Sequence, residues 1–309
     1  MRRLIPVAIA AALVLAGCGS SANGLDSVKV SGGKTPTVKF DKNFKATKTT
    51  SKVLKKGSGK KIAEGDSVTV DYVAVNGRTA KTFDSSFKTG TPLTTTVTTG
   101  QLLAGFVKGI TGKTVGSRIL IAIPPKDGFG AANTQLGVKA TDTMVFLMDI
   151  IKASTPPAAK DVPKAASGKA QKLPATLPKL TLDKSKHPSK FTKNSQTAKA
   201  PKKMGVNVAI KGTGAKVEAG QSIIAQYVGQ IYPAGAVFDE SWSKSAATFQ
   251  IGANKVIKCW DDGLVGQTVG SRVILTCPAS VAYGESPPQG SKIKAGDTLI
   301  FAVDLLAAF

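Results

Sequence analysis

Chemistry that depends on histidine or on clustered cysteines has little to work with in this chain. Its 309 residues include one histidine and three cysteines. His187 stands beside Pro188 with no second histidine to pair with, so it reads as a surface residue rather than a ligand or a base. There is no His–Ser or His–Cys pairing, no cluster with metal-ligand spacing and no phosphate-cradling glycine loop. The common signatures of nucleophilic, metal-assisted and phosphoryl-transfer chemistry are therefore missing, and no metal or cofactor is expected. Acidic residues are scarce as well, 19 against 42 Lys and Arg, for a formal net charge of +23. Much of that excess lies in two lysine-rich stretches, residues 29–61 and 152–216, with few aromatics and no arginine. Nucleic-acid surfaces usually add stacking rings or arginine forks, so nucleic acid is a poor partner. The two stretches read either as contacts to anionic lipid headgroups or acidic wall polymers, or as solvated, solubilising linker.

The one long apolar run, residues 4–14, is too short for a permanent membrane span, which takes about 20 residues. Met1, Arg2 and Arg3 precede it and Leu15-Ala16-Gly17-Cys18 ends it, the layout of a secretory signal. The ending resembles the bacterial lipobox, in which the cysteine is lipidated and becomes the new N-terminus. Gly-Ser-Ser-Ala-Asn-Gly then follows as a flexible tether. The expectation is a signal peptide over residues 1–18, lipidation at Cys18, and a mature protein held on the extracytoplasmic face of the cell membrane by several acyl chains. Beyond Cys18 only Cys259 and Cys277 remain. An even pair in an oxidising compartment favours a disulfide, with two buried thiols as the alternative.

The rest of the chain is written twice. VIKCWDDGLVGQTVGSRVILTCPASVAY, from Val256 to Tyr283, answers QLLAGFVKGITGKTVGSRILIAIPPKDGFG, from Gln101 to Gly130. KGTGAKVEAGQS answers KGSGKKIAEGDS further upstream, at a nearly constant offset. A repeat this long is a duplicated domain, well beyond the roughly 20–50-residue unit of a solenoid. The domains are expected at residues 19–152 (core 53–151) and 177–309 (core 206–309), joined by an extended Ala/Pro/Lys-rich linker at 153–176. The paired lead-ins SVKVSGGKTPTVKF and PKLTLDKSKHPSKF predict an N-terminal strand for each. Within the cores the period is two: Val68, Val70 and Tyr72 alternate, as do Ile223, Ala225 and Tyr227. Val256, Ile257 and Trp260 are spaced to share one face of a short helical turn, and Val273, Leu275 and Cys277 read as a strand that Pro278 ends. Several antiparallel strands with one short helix make an α+β domain.

The segment from Val256 to Gly284 is similar to the signature of FKBP-type peptidyl-prolyl cis-trans isomerases, in which V-I-x-G-W-x-x-G-L leads to V-G-x-x-R and later A-Y-G. The resemblance implies two FKBP-like domains, each a curved antiparallel sheet wrapped around one short helix. It further implies that Tyr227, Phe238, Val256, Ile257, Trp260 and Phe301 line a proline pocket with Trp260 as floor. Asp239 and Tyr283 would be polar contacts, the Ile257 N–H a second donor, and Ile293 the rim. The second domain departs from the pattern at Ala247, where an aromatic is usual, and at Cys259, where Gly or Pro is. The first domain keeps Tyr72, Phe83, Asp84, Leu102, Leu103, Phe106, Val138 and Phe146, but has Phe129 in place of the tyrosine and Thr95 where a ring is expected.

Such a site suits prolyl isomerisation, because the barrier is rotation about one amide bond, about 18–20 kcal/mol. Twisting removes resonance and carbonyl charge, so a dry pocket shaped for the twisted bond binds the transition state better than the planar form. Two functions follow. One is an exported, lipid-anchored isomerase that assists folding of secreted chains, working mainly through its second domain on proline-containing unfolded or extended polypeptides. The other is a non-catalytic lipoprotein using the same grooves to hold peptides or an envelope polymer. A monomer is expected.

Overall fold

The computed structural model describes residues 24–100 and 102–309; Cys18 and the signal sequence lie outside them. The first domain runs β1 (Lys29–Val30), β2 (Val38–Lys39), β3 (Thr50–Lys55), β4 (Ser67–Asn76), β5 (Lys81–Ser85), α1 (Ser86–Thr89), β6 (Leu93–Thr96), α2 (Ala104–Ile110), β7 (Arg118–Ile123) and β8 (Met144–Ser154). The second runs β9 (Lys169–Ala170), β10 (Lys179–Leu182), β11 (Pro188–Thr192), β12 (Gly205–Lys211), β13 (Ser222–Ile231), β14 (Val237–Glu240), β15 (Ala247–Gln250), α3 (Lys258–Leu264), β16 (Arg272–Cys277) and β17 (Leu299–Ala308). The first sheet is ordered β3-β7-β8-β4-β5 with β6 also on β4; the second is β9-β12-β16-β17-β13-β14 with β15 also on β13. The pairings in both sheets are antiparallel. Each domain is thus the expected α+β unit of a curved sheet around a short helix.

Both faces of each sheet are covered, which is why β7 (RILIAI) and β16 (RVILTC) read as continuous apolar runs. Ile119, Ile121 and Ile123 face the helix side with Phe106 and Ile110 of α2, while Leu120 and Ala122 face Leu25, Val28, Val38 and Phe44 on the other. In the second domain Val273, Leu275 and Cys277 face Trp260 and Leu264, and Ile274 faces Phe191 and Leu180. The helices lie close to the sheet because glycine faces it: a Cβ on Gly109 would meet Ile121 Cδ1 at 2.6 Å, and one on Gly263 would meet Leu275 Cδ2 at 2.7 Å.

The lead-ins are more than the single strands expected from the sequence. Each is a two-stranded hairpin, β1–β2 and β10–β11. The second is clamped by buried Gln230, which accepts the Phe191 N–H at 2.6 Å and donates to the Phe191 carbonyl at 2.9 Å. Within the 153–176 stretch, β8 reaches Ser154 and β9 is paired with β12, so those residues belong to the two sheets instead of forming extended linker. The repeated VGSR ends in an ion pair across the sheet: Arg118 to Asp149 at 2.7 Å, and Arg272 to Asp304 at 2.6 Å. His187 stacks on Trp242 with ring centroids 4.3 Å apart.

Candidate active site

Trp260 is fixed first. It lies on α3, is 4% exposed, and meets Phe249, Tyr227 and Phe301 edge-on with ring centroids 4.9, 5.4 and 5.5 Å away. Phe238 meets Phe301 at 5.7 Å. Edge-to-face contacts of this kind add about 0.5–1.5 kcal/mol each beyond burial, and they leave a ring-walled cavity of about 250 Å³ above the indole. Four different strands and one helix supply the rings. Trp260 Nε1 is buried with no acceptor among the described residues.

Of the residues expected at this site, Tyr227, Phe238, Asp239, Val256, Ile257, Trp260, Tyr283 and Phe301 all line the cavity. Ile293 does not. It is 7% exposed and packs into the core, as does its counterpart Val138 at 3%. Val256 and Ile257 are not on the helix, which starts at Lys258; Ile257 is the N-cap residue with ψ 145°, because the chain arrives extended and only then turns. Two lining residues escaped the sequence reading, Phe249 and Lys255. Phe249 stands two residues beyond Ala247 on β15, so both side chains share a face, and the alternation running to Ile251 was the signal that could have revealed it. It supplies a ring to this strand even though Ala247 does not.

The polar groups divide into those already engaged and those free. The Tyr227 hydroxyl donates to Asp239, whose other oxygen accepts the Glu240 N–H at 2.9 Å. Asp239 therefore orients Tyr227. Burial and that carboxylate push the Tyr227 phenol far above its ordinary 10.0; burial and the Asp239 charge also raise Tyr283. Both remain neutral hydroxyls at neutral pH. Among the described residues the Tyr283 hydroxyl and the Ile257 N–H donate to no protein acceptor. They are two donors at the cavity's edge that a substrate carbonyl can take, beside the Lys255 ammonium. The loop before α3 is pinned by buried Asp261, which accepts the Gly252 and Asn254 N–H groups, both at 2.7 Å.

The first domain keeps the frame and loses part of the lining. Phe106 lies 4.5 Å from Phe146, with Tyr72 and Phe83 at 6.4 and 6.1 Å. Tyr72 donates to Asp84, as Tyr227 does to Asp239. Leu102 and Leu103 lead into α2 and are half-buried against the core. Thr95 pairs with Val68 where Phe249 pairs with Ile223, so this domain has no ring at that place. Phe129 is 37% exposed and has no hydroxyl. Val107 occupies the helix position of Asp261, so the side-chain pin of the loop is also missing.

Taken together, an antiparallel sheet, a short helix, a ring-walled cavity and unpaired donors at its edge describe a site that holds its ligand by fit and hydrogen bonding. The sequence model of the FKBP-type peptidyl-prolyl cis-trans isomerases matches residues 58–151 and again 213–306. The chain belongs to that family and carries its domain twice. Relatives include the FK506-binding protein of Streptomyces anulatus, 41% identical over 108 residues, 35% of this chain and 87% of that one. A probable FK506-binding protein of Corynebacterium glutamicum is 37% identical over 110 residues, covering 35% and 90%. Among solved structures, the three FKBP domains of a wheat protein align over 84% of this chain and 94% of that one, at 17% identity and a TM-score of 0.32. The chain is a peptidyl-prolyl isomerase, of a family that binds proline-containing polypeptides.

Proposed function

We propose that this isomerase works outside the cytoplasm, anchored through a lipidated Cys18, and that turnover belongs mainly to its second domain. One observation carries the assignment to the second domain. It alone joins a five-ring cavity to a free tyrosine hydroxyl, whereas the first domain has Thr95 and Phe129 at the corresponding places. The prolyl ring sits over Trp260, and the Ile257 N–H and Tyr283 hydroxyl hold the flanking carbonyls while the amide twists. The walls offer little compensation to the polar planar amide and more to the twisted form. The first domain, with its four-ring cluster intact, holds peptide without comparable turnover.

The test uses full-length chain and NMR-detected exchange of an Ala-Leu-Pro-Phe peptide. Losing one hydrogen bond to a carbonyl in a desolvated site costs about 1–3 kcal/mol, or roughly ten- to a hundredfold. Tyr283→Phe should therefore remove most of the activity, and Phe129→Tyr should raise what remains. Unchanged exchange in Tyr283→Phe would place turnover elsewhere.

The anchoring proposal is supported by the Leu15-Ala16-Gly17-Cys18 ending behind a short apolar run. No helix among the described residues is long and apolar enough to cross a membrane. Cys18→Ala should leave an unprocessed, unlipidated precursor; a variant that migrates and fractionates like the wild type would refute the anchor. Near that anchor, Lys29 and Lys39 lie directly opposite each other across β1–β2. Like charges so placed repel, and anionic headgroups or acidic wall polymer would relieve them.

A further inference from the structure

The two domains differ at one sheet edge, and the difference points to a ligand. In the second domain the edge strand β12 is covered by residues 166–171 of the same chain. Ala170 and Lys169 pair with Ile210 and Lys211, and the Gln171 N–H donates to the Ala209 carbonyl at 2.9 Å. The Ser167 N–H reaches the Gly270 carbonyl at 2.9 Å, and the Ala166 N–H reaches Asp304 Oδ2 at 2.8 Å. Beneath this segment the Arg272–Asp304 pair is sealed, with side chains 7% and 0% exposed.

The first domain repeats every receiving group. Lys55 pairs with Arg118 as Ile210 pairs with Arg272, each after a bulge, so Leu54 stands for Ala209. Gly116 and Asp149 stand for Gly270 and Asp304 in the repeated VGSR and the strand beside it. Among the described residues no strand lies outside β3. A cavity of about 650 Å³ opens there instead, walled by Val28, Val30, Leu54, Lys55, Arg118 and Asp149. Leu54 is 38% exposed, and the Arg118–Asp149 side chains are 25% and 29% exposed.

We propose that this cavity is a second peptide site, which takes an extended segment of another polypeptide as an added strand on β3. The chemistry of the segment is set by the one the protein itself uses. It is small at Ala166, Ser167 and Gly168 and carries the longer Lys169 and Gln171 where it pairs as a strand, with N–H groups offered in turn to a carboxylate, a glycine carbonyl and a strand edge. It also needs a glycine at the kink. A Cβ on Gly168 would lie 2.0 Å from the Lys211 carbonyl oxygen, and Lys56 is the residue that answers Lys211 in the repeated sequence. A client gripped on this edge would be kept close to the chain while its prolines are turned over.

The experiment is a fluorescence-anisotropy titration of full-length protein with a labelled peptide of residues 163–173. Saturable one-to-one binding is expected. Leu54→Lys would bury an ammonium on strand addition and set it against the peptide's own Lys164, Lys169 and Lys172, and Asp149→Asn would weaken the anionic acceptor; each should reduce affinity roughly tenfold or more. A peptide carrying Gly168→Val should fail similarly. Leu54 lies outside the proline cavity, so Leu54→Lys should keep the wild-type exchange rate and so report an intact fold. Absence of saturable binding overturns the proposal. Equal binding to wild type and both variants also overturns it, because the peptide would then be displacing residues 166–171 in the second domain. If sedimentation of the chain alone shows a dimer that Leu54→Lys abolishes, the occupant is a second copy and the assignment to a foreign polypeptide is wrong.

Discussion

Cys259 and Cys277 are joined as a disulfide, and it ties the first turn of α3, which carries Trp260, to the end of β16. The first domain has Gly105 and Ile123 at these places. A Cβ on Gly105 would come within 2.3 Å of Ile123 Cγ2, so helix and strand are held there by close packing of bare backbone on isoleucine. The second domain has replaced that contact with a covalent one. The two cysteines are 18 residues apart, for which loop entropy gives about 3 kcal/mol. Against a domain stability of about 5–15 kcal/mol this is a large share. With a urea slope of about 1–3 kcal/mol/M, reduction should lower the unfolding midpoint by roughly 1–3 M. Both tryptophans of the chain, Trp242 and Trp260, lie in the second domain, so indole fluorescence reports that domain alone. Cys277→Ala should fall further than reduction does, because the sulfur site is 0% exposed and leaves a cavity. The double variant Cys259→Gly/Cys277→Ile imports the first domain's packing and should recover part of the loss. Identical midpoints with and without reductant would refute the stabilising role. A double variant no better than Cys277→Ala would refute the packing equivalence.

Phe249→Thr, which copies the first domain, opens one wall of the proline cavity; a loss of about tenfold in exchange rate is expected, and full activity would show that this ring is dispensable. Lys255 lines the cavity without an acidic partner among the described residues. Wild type should therefore prefer Glu-Pro over Lys-Pro peptides by about two- to fivefold, with the order reversed in Lys255→Glu. Burial would raise the Asp142 carboxyl, but Arg78, the Lys139 N–H and Asn76 outweigh it and hold it below the ordinary 3.8. A depressed carboxylate contributes stability above its unfolded value and loses it as pH falls through the folded one. Amide protection in β8 should accordingly drop between about pH 5 and about pH 2, less steeply in Asp142→Asn. Equal slopes in the two proteins would exonerate this residue.

The duplication, the strands and most of the cavity were legible in the residues themselves. Alternation of period two marks a strand wherever it occurs, and the spacing from Val256 to Tyr283 is short enough for local order to carry it. Which strands pair was not legible; the structure supplies it, and the alternation only holds the register, since a slip of one residue would turn Ile119, Ile121 and Ile123 away from α2. What spacing could not show was which of two plausible residues reaches a shared point. Ile293 and Phe249 are both apolar residues near the site. Only the crossing of β15 over α3 sends Phe249 to the indole, while Ile293 goes to the core. Val256 and Ile257 have helical spacing, yet their conformation is set by Asp261 pinning the loop before them and by the extended entry to the helix.

Residue identity by itself determined that this protein has two copies of one ring-bearing domain without a nucleophile, and hence an activity based on fit. Tertiary structure alone decided which groups are engaged and which stay free. Asp239 is spent on Tyr227, whereas Tyr283 keeps its hydroxyl free. Arg272–Asp304 is sealed by residues 166–171, whereas Arg118–Asp149 opens on a cavity. The physical reason is the same in each case. A hydrogen bond or a covered edge depends on groups brought together from distant parts of the chain, and identical local motifs carry no record of what lies across from them.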